Sequence, residues 1–265
     1  MIDLHMHLLP AIDDGAASLD VARAMLDKGE ALGFTTLVAT PHLRGPLTPE
    51  YERRVRAAFS SMQAETIGRP ITVELGYEIL LSPDLPTRLQ SGERSRLGGS
   101  SSVLIELPFV GWPNFTEQVL FDLQSIGFRP VLAHPERYAA VQSEPQKALE
   151  LAGRGVLLQV AIGSLVGLFG KSAQKIGELL IREDAAAILA TDAHSAGQRF
   201  MSVSDGIARA QALIGSDRVY QLMHENPKAL LESHPLPTPA AHIVTETADR
   251  GWRNMFQRAA EPVRV

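Results

Sequence analysis

No cysteine occurs among the 265 residues. Disulfides, thiolate metal sites and a cysteine nucleophile are therefore excluded. Any hydrolytic chemistry must rely on a metal-activated water or on another nucleophile. No run of the chain approaches the roughly 18–20 apolar residues that span a bilayer. A basic excess is missing too: 25 Lys and Arg stand against 30 Asp and Glu, a formal net charge of −5. That balance argues against neutralising a nucleic-acid backbone. Met1-Ile-Asp-Leu-His-Met-His7 has neither the basic nor the apolar region of a secretory signal, so the protein is expected to be cytoplasmic. What remains is an ordinary globular mixture, 45% hydrophobic and 21% charged, with ample material for a core. The length suits one α/β barrel, which takes about 200–250 residues.

Seven short apolar runs predict strands at 2–7, 35–40, 71–77, 103–107, 130–133, 156–160 and 186–191. Helical periodicity fills most of the intervals. Leu19, Ala22, Met25, Leu26 and Leu32 share a helical face, and Gly33 supplies a stop. Val119, Leu120, Leu123 and Ile126 form a similar stripe within 113–126. Ser143 with Gln146 has the capping-box pattern and predicts a helix start. Segments 47–67, 203–214 and 217–232 also read as helices. Strand alternating with helix implies a mostly parallel sheet. Seven units favour closure into a barrel, with an open doubly wound sheet as the alternative. After His234 the chain turns proline-rich, Pro235-Leu-Pro-Thr-Pro. The expected organisation is one domain over 1–234 and a flexible tail over 235–265, in which Trp252, Met255 and Phe256 sit among Arg250, Arg253 and Arg258.

Polar residues gather at the predicted strand ends. Strand 1 ends in His5-Met6-His7, whose two imidazoles point to one side of the strand. Asp13-Asp14-Gly15 follows on a loop at the same end. Other ends carry Thr40-Pro41-His42, Tyr77-Glu78, Ile105-Glu106, Ala133-His134-Pro135-Glu136-Arg137 and Thr191-Asp192-Ala193-His194. In a parallel α/β barrel the C-terminal strand ends converge on one face. Five of the eight histidines lie at these ends; His224, His234 and His242 do not. One such histidine is ordinarily a satisfied structural residue. Five beside Asp14, Glu78, Glu106 and Asp192 are hard to explain as packing, because crowded carboxylates resist ionisation unless cations join them. An all-imidazole and carboxylate set suits Mn²⁺, Fe²⁺ or Zn²⁺. Nine ligands are too many for one ion, and two or three would use them. Arg44, Arg137 and Arg199 lie near the same ends, where guanidinium groups fit the non-bridging oxygens of a phosphate. Read blandly, each is a salt bridge, as Arg137 with Glu136 or Asp14.

These motifs resemble the PHP (polymerase and histidinol phosphatase) superfamily. The strings Asp13-Asp14-Gly15, Ile105-Glu-Leu-Pro108, Ala133-His-Pro-Glu-Arg-Tyr138 and Ser164-Leu-Val-Gly-Leu-Phe-Gly-Lys171 are similar to bacterial manganese-dependent tyrosine-protein phosphatases of capsule and exopolysaccharide loci. The resemblance spans about residues 1–233. It implies a distorted (βα)7 barrel holding two or three ions, Mn²⁺ foremost and Fe²⁺ or Zn²⁺ otherwise. By resemblance, His5, His7, Glu78 and Asp192 would take the first ion; Glu78, Glu106 and His134 the second; Asp14, His42 and His194 the third. Arg137 and Arg199 match phosphate-holding positions, and His42, His194 or a metal-bound water could serve as general acid. A metal-bridging hydroxide would attack phosphorus in line. The implied partner is a tyrosine-phosphorylated kinase of polysaccharide export.

Three other functions compete. A PHP phosphoesterase acting on a small molecule, such as histidinol phosphate or a nucleotide, would need the same ions and arginines. A non-catalytic, metal-stabilised scaffold would need only the ions. A metal-dependent nuclease is disfavoured by the acidic balance.

Overall fold

Every predicted strand forms, and two of the seven, 35–40 and 71–77, are each followed by a further short strand beyond the predicted run. The computed structural model describes residues 1–236. Its strands are β1 (Ile2–Met6), β2 (Thr36–Ala39), β3 (His42–Leu43), β4 (Thr72–Leu75), β5 (Glu78–Leu80), β6 (Ser102–Glu106), β7 (Arg129–Ala133), β8 (Leu157–Ala161) and β9 (Ala186–Ala190). Every pairing is parallel. The order β1-β2-β4 makes one sheet, and β3-β5-β6-β7-β8-β9 makes the other.

The expected closed (βα)7 barrel is therefore corrected to a mixed α/β fold with two parallel sheets. Pro41 has no N–H to give to a ladder, so β2 stops at Ala39 and the chain pairs again only at His42, past the predicted run. Likewise Gly76-Tyr77 separates β4 from β5, which begins just past the third predicted run. Because β4 pairs with β2 while β5 pairs with β6, these breaks divide the sheet. Single bonds span them, Gly76 N to Ala39 O at 2.8 Å and Glu78 N to Pro41 O at 3.1 Å. At the other edge β1 meets the end of β9 only at an isolated bridge, Met6 to Ala193. Asp192 N donates to His5 O at 2.9 Å beside it, and His7 N to Ala193 O at 2.8 Å.

Both faces of β1, β6, β8 and β9 are buried, as helices on a parallel sheet require, whereas β4 exposes Thr72 and Glu74 on one face. Alternation assigns successive residues to two clusters. Val103, Ile105, Leu132, Leu158 and Val160 join the larger, which packs against helices. Leu104, Val131, Ala133 and Leu157 join a smaller one with Leu97 and Leu230. Each side chain fully withdrawn from water contributes about 1.5–3 kcal/mol. Glu106 lies two residues beyond Leu104 on β6, and Gln159 two beyond Leu157 on β8. The polar strand ends thus continue the face of the smaller cluster.

Helix Leu19–Ala31 starts where Ser18 Oγ accepts from Val21 N, and it buries Ala22, Met25, Leu26 and Gly29. Helix Pro49–Glu65 is capped by Thr48. Thr116–Ser125, Lys171–Arg182 and Val203–Ile214 follow. Ser143 does not start a helix. It ends Ala139–Ser143, where its hydroxyl donates back to Ala140 O at 3.0 Å, and the next helix, Gln146–Gly153, follows Pro145. The helix expected over 217–232 forms as a continuous helical run, Ser216–Leu231, with a π-helical turn, Gln221–Glu225, inside it. Among the described residues no helix is long and apolar enough to cross a membrane. The expected tail falls, from residue 237 on, outside the described residues.

Candidate metal centre

Glu78 is the hub of the site. It is the first residue of β5 and 1% exposed. Its Oε1 lies 3.0 Å from His134 Nε2 and 3.3 Å from His5 Nε2. Its Oε2 lies 2.9 Å from His42 Nδ1 and 3.3 Å from His7 Nε2. Four imidazoles from three strands, His5 and His7 at the end of β1, His42 on β3 and His134 after β7, therefore meet one carboxylate. Glu74, which shares the parity of Glu78 along an extended strand, is exposed on β4 and takes no part.

Asp192 is the second hub. Its Oδ1 faces His5 Nε2 at 3.4 Å, His7 Nε2 at 3.6 Å and His194 Nδ1 at 3.6 Å. Its Oδ2 takes Arg137 Nη1 at 2.5 Å and Arg199 Nη1 at 2.8 Å. Asp14 Oδ1 stands at the mouth, 3.3 Å from His42 Nε2 and 3.5 Å from His194 Nε2. Glu106 Oε2 is 3.8 Å from His42 Nδ1. All nine residues singled out from the sequence are thus brought together. Their ligand atoms fall into four groups, each within 4.8 Å: His7, Asp14, His42 and His194; His5, Glu78 and His134; His5, His7 and Asp192; His42, Glu78 and Glu106.

Local backbone features aim these groups. His134 (φ 34°) and Asp192 (φ 51°) both sit at positive φ, uncommon for residues with a Cβ. At His134 the reversal ends β7 and opens the turn Pro135–Arg137, closed by Arg137 N to His134 O at 3.0 Å. The loop after β1 folds tightly beneath His7. A Cβ at Gly15 would collide with the His7 carbonyl and Cβ, so only glycine allows this approach.

A supporting layer orients the histidines. Asp13 Oδ2 lies 2.7 Å from His7 Nδ1, and Gln159 Oε1 lies 2.8 Å from His5 Nδ1. Asp3 accepts from Thr191 Oγ1 at 2.5 Å and from Thr191 N and His5 N at 3.2 Å, tying β1 to the end of β9. Glu136, wholly buried, accepts from Ser164 Oγ at 2.6 Å and Ala161 N at 3.0 Å. It does not pair with Arg137, so that bland assignment fails; Arg137 goes to Asp192 instead. Sequence reasoning does not single out these supporting residues as site members. Gln159 and Asp3 do leave a signal, being polar residues inside apolar strand runs.

Electrostatics are governed by burial and by charge. Burial opposes ionisation of Glu78, yet the neighbouring imidazoles, His5 foremost, hold it well below the ordinary carboxylate range. Asp192 is depressed in the same way. Burial and the Glu78 charge raise Glu106. Burial opposes protonation of His5, but Glu78 and Asp192 outweigh it and raise its pKa. Burial lowers His134, and burial with the His7 charge lowers His194 to about 4. Burial also pushes Glu136 up to about 7.

The donor set fits divalent cations. His5 Nε2, His7 Nε2, His42 Nδ1 and Glu78 Oε2, all facing the cluster, are buried with no hydrogen-bond partner. An unpaired buried polar atom costs about 1–3 kcal/mol. Imidazole and carboxylate lone pairs facing one another are joined by a cation and by little else.

The three expected phosphate-binding arginines are not equivalent. Arg137 and Arg199 converge on Asp192 beside the cluster, and Arg199 Nη1 also reaches the Asp192 carbonyl and His194 Nδ1. Arg44 stands apart, exposed in an open groove of about 510 Å³ lined also by Asp13, Asp14, His42 and Tyr51.

Residues 1–232 match the family described as "Capsular polysaccharide synthesis, CpsB/CapC". The chain belongs to the CpsB/CapC family. Among its CpsB/CapC relatives, the tyrosine-protein phosphatase YwqE of Bacillus subtilis is 32% identical over 242 residues, covering 89% of this chain and 93% of YwqE. The tyrosine-protein phosphatase CpsB of Streptococcus pneumoniae is 24% identical over 238 residues, 87% of this chain and 98% of its own. A solved chain, from crystal structures of YwqE and CpsB described as unique metal-dependent tyrosine phosphatases, superimposes with a TM-score of 0.83 at 31% identity. That match covers 91% of this chain and 99% of the other. A histidinol phosphate phosphatase from Lactococcus lactis, complexed with zinc, L-histidinol and phosphate, shares the fold at a TM-score of 0.52 and 16% identity.

Proposed function

We propose that this CpsB/CapC chain is a metal-dependent protein-tyrosine phosphatase of capsular or exopolysaccharide synthesis. The observation that carries the reading is the convergence of nine imidazole and carboxylate side chains beside two arginines that share Asp192. Relatives named tyrosine-protein phosphatases along most of the chain support it. The substrate, on this reading, is a tyrosine-phosphorylated cytoplasmic protein, an autophosphorylating kinase of polysaccharide export.

His5, His7, Glu78 and Asp192 would hold one cation, Glu78, Glu106 and His134 a second, and Asp14, His42 and His194 a third, with Mn²⁺ the proposed metal. Such cations supply charge neutralisation and an activated water nucleophile. Arg137 and Arg199 grip the non-bridging phosphate oxygens and stabilise the charge that builds on them in the transition state. Asp13 and Gln159 keep His7 and His5 in one orientation. His194, with its pKa held near 4 by burial and His7, is neutral at pH 7 and fits a lone-pair ligand better than a proton donor. His42, with Nε2 3.3 Å from Asp14 Oδ1 and Nδ1 2.9 Å from Glu78 Oε2, is a ligand on the same reading, so neither histidine is assigned to the leaving oxygen. A tyrosine phenolate, with a reference pKa of about 10, needs less assistance than an alkoxide.

Hydrolysis of a phosphotyrosine peptide by extensively chelated protein, with and without added Mn²⁺, tests the reading, with histidinol phosphate as the comparison substrate. Activity should be lost on chelation, return with Mn²⁺ and favour the peptide. Full activity in demonstrably metal-free protein, or a preference for histidinol phosphate, would overturn it.

A further inference from the structure

Phe109 and Phe169 have no part in the chemistry described so far, yet both lie against the phosphate-binding arginines. Arg137 Cζ is 4.8 Å from the Phe109 ring centroid and 4.3 Å from that of Phe169. Arg199 Cζ is 5.2 Å from the Phe169 centroid. The Arg137 guanidinium thus contacts both rings, and Phe169 serves both arginines. The Phe109 ring also stacks on His134, with centroids 5.6 Å apart and planes 14° from parallel.

The rings are placed by construction rather than by loose packing. Phe169 belongs to Ser164–Lys171, a string whose conspicuous pattern the metal centre does not explain. Gly167 and Gly170 reverse the chain at φ 79° and 91°. Gly167 N bonds Ser164 O and Leu168 N bonds Gly163 O, both at 3.0 Å, holding the loop compact. Ser164 Oγ then anchors the loop to Glu136, the neighbour of Arg137. Phe109 is tied to the same segment, its carbonyl accepting from Ala139 N at 3.0 Å. Despite these anchors Phe109 is 41% exposed and Val110 beside it 83%. Phe109 and Val110 thus present exposed apolar surface directly beside the Arg137 guanidinium.

We propose that Phe109 and Phe169 form the walls of a subsite for the substrate's aromatic ring and set a preference for aryl over alkyl phosphate esters. The inference rests on the phosphatase reading above. In phosphotyrosine the ring is bonded directly to the ester oxygen, so a phosphate gripped by Arg137 and Arg199 carries its ring alongside these walls. In phosphoserine a single methylene leads to polar backbone, which gains nothing from them. Offset-stacked or edge-to-face contact with one ring is worth about a 2- to 12-fold preference.

Two measurements on Phe109→Leu, Phe109→Tyr, Phe169→Leu and Phe169→Tyr test this in the metal-loaded full chain. One is kcat/KM for a phosphotyrosine peptide relative to the matching phosphoserine peptide. The other is the affinity for phenylphosphonate relative to methylphosphonate, which needs no turnover. Wild type should prefer the aryl member in both, each Leu variant should lose about 2- to 12-fold of the preference, and each Tyr variant should keep it. Equal loss for both phosphonates would mean that the rings only orient the arginines, and the proposal falls. It falls too if the ratios do not move or if wild type binds both phosphonates alike. If no phosphate ester is hydrolysed at all, the phosphatase reading fails separately, and the phosphonate ratio still decides whether the rings form an aryl subsite.

Discussion

Asp13 Oδ2 lies 2.7 Å from His7 Nδ1, and the same oxygen accepts from His42 N at 3.0 Å. With Nδ1 donating to Asp13, His7 presents Nε2 to Glu78 and Asp192. A carboxylate behind a metal-binding imidazole fixes its tautomer and raises its basicity, and losing it costs about 10–100-fold in metal affinity or activity. Asp13→Ala should weaken metal binding by that factor, read by calorimetric titration of the chelated protein. Unchanged affinity would reduce Asp13 to a brace for its loop.

Removing Glu78 should do more. Its two oxygens are approached by His134, His5, His42 and His7, as expected of a carboxylate shared between ions. Glu78→Ala should lower the number of ions bound per chain as well as the rate. Glu74→Ala, altering an exposed residue of β4, should change neither. Elemental analysis of the purified variants checks this, and a Glu78→Ala protein with full metal content would remove Glu78 from direct coordination.

Arg137 and Arg199 separate phosphate binding from metal binding. A guanidinium stays protonated and offers no lone pair to an ion. Replacing either with Ala should leave metal content intact and remove charge-assisted hydrogen bonds worth about 1.5–3 kcal/mol. On that basis kcat/KM should drop by roughly 10–150-fold. Lys should recover only part of the loss, because an ammonium lacks the planar fork. If their role is only the ion pair with Asp192, the melting temperature will fall while kcat/KM of the folded fraction stays near wild type.

A chain ending at Leu236 should keep full activity on a small aryl phosphate. The family match ends at residue 232, and the last contacts among the described residues lie before the cut: Arg129 Nη1 bonds His234 O at 2.5 Å, and Leu236 packs on the smaller cluster. Coupled loss of activity and thermal stability on truncation would show that residues 237–265 belong to the working domain.

Much of this site is legible in the amino-acid sequence. His5 and His7 share a strand face by simple alternation, and each remaining ligand type stands at the end of an apolar run. Those patterns are local, and a parallel strand arrangement brings such ends together whatever their separation in sequence. The short strands past Pro41 and Gly76-Tyr77 are harder to read, because each has only two or three residues and opens on a polar side chain, His42 or Glu78. Only the pairing partners of β4 and β5 reveal that one sheet has become two. Ser143 shows the opposite failure: a sound local capping signal is overridden because its hydroxyl is used by the helix before it.

By itself, then, the sequence determined the inventory: no thiol, nine ligand-type side chains at strand ends, and arginines close by. Strand parity and the position of apolar runs are short-range properties, and they suffice for that. Tertiary structure alone sent Arg137 to Asp192 rather than Glu136 and set Phe109 and Phe169 against Arg137. These outcomes depend on where distant loops come to rest on a packed core, and no periodicity along the chain encodes a contact between residues 109, 137 and 169.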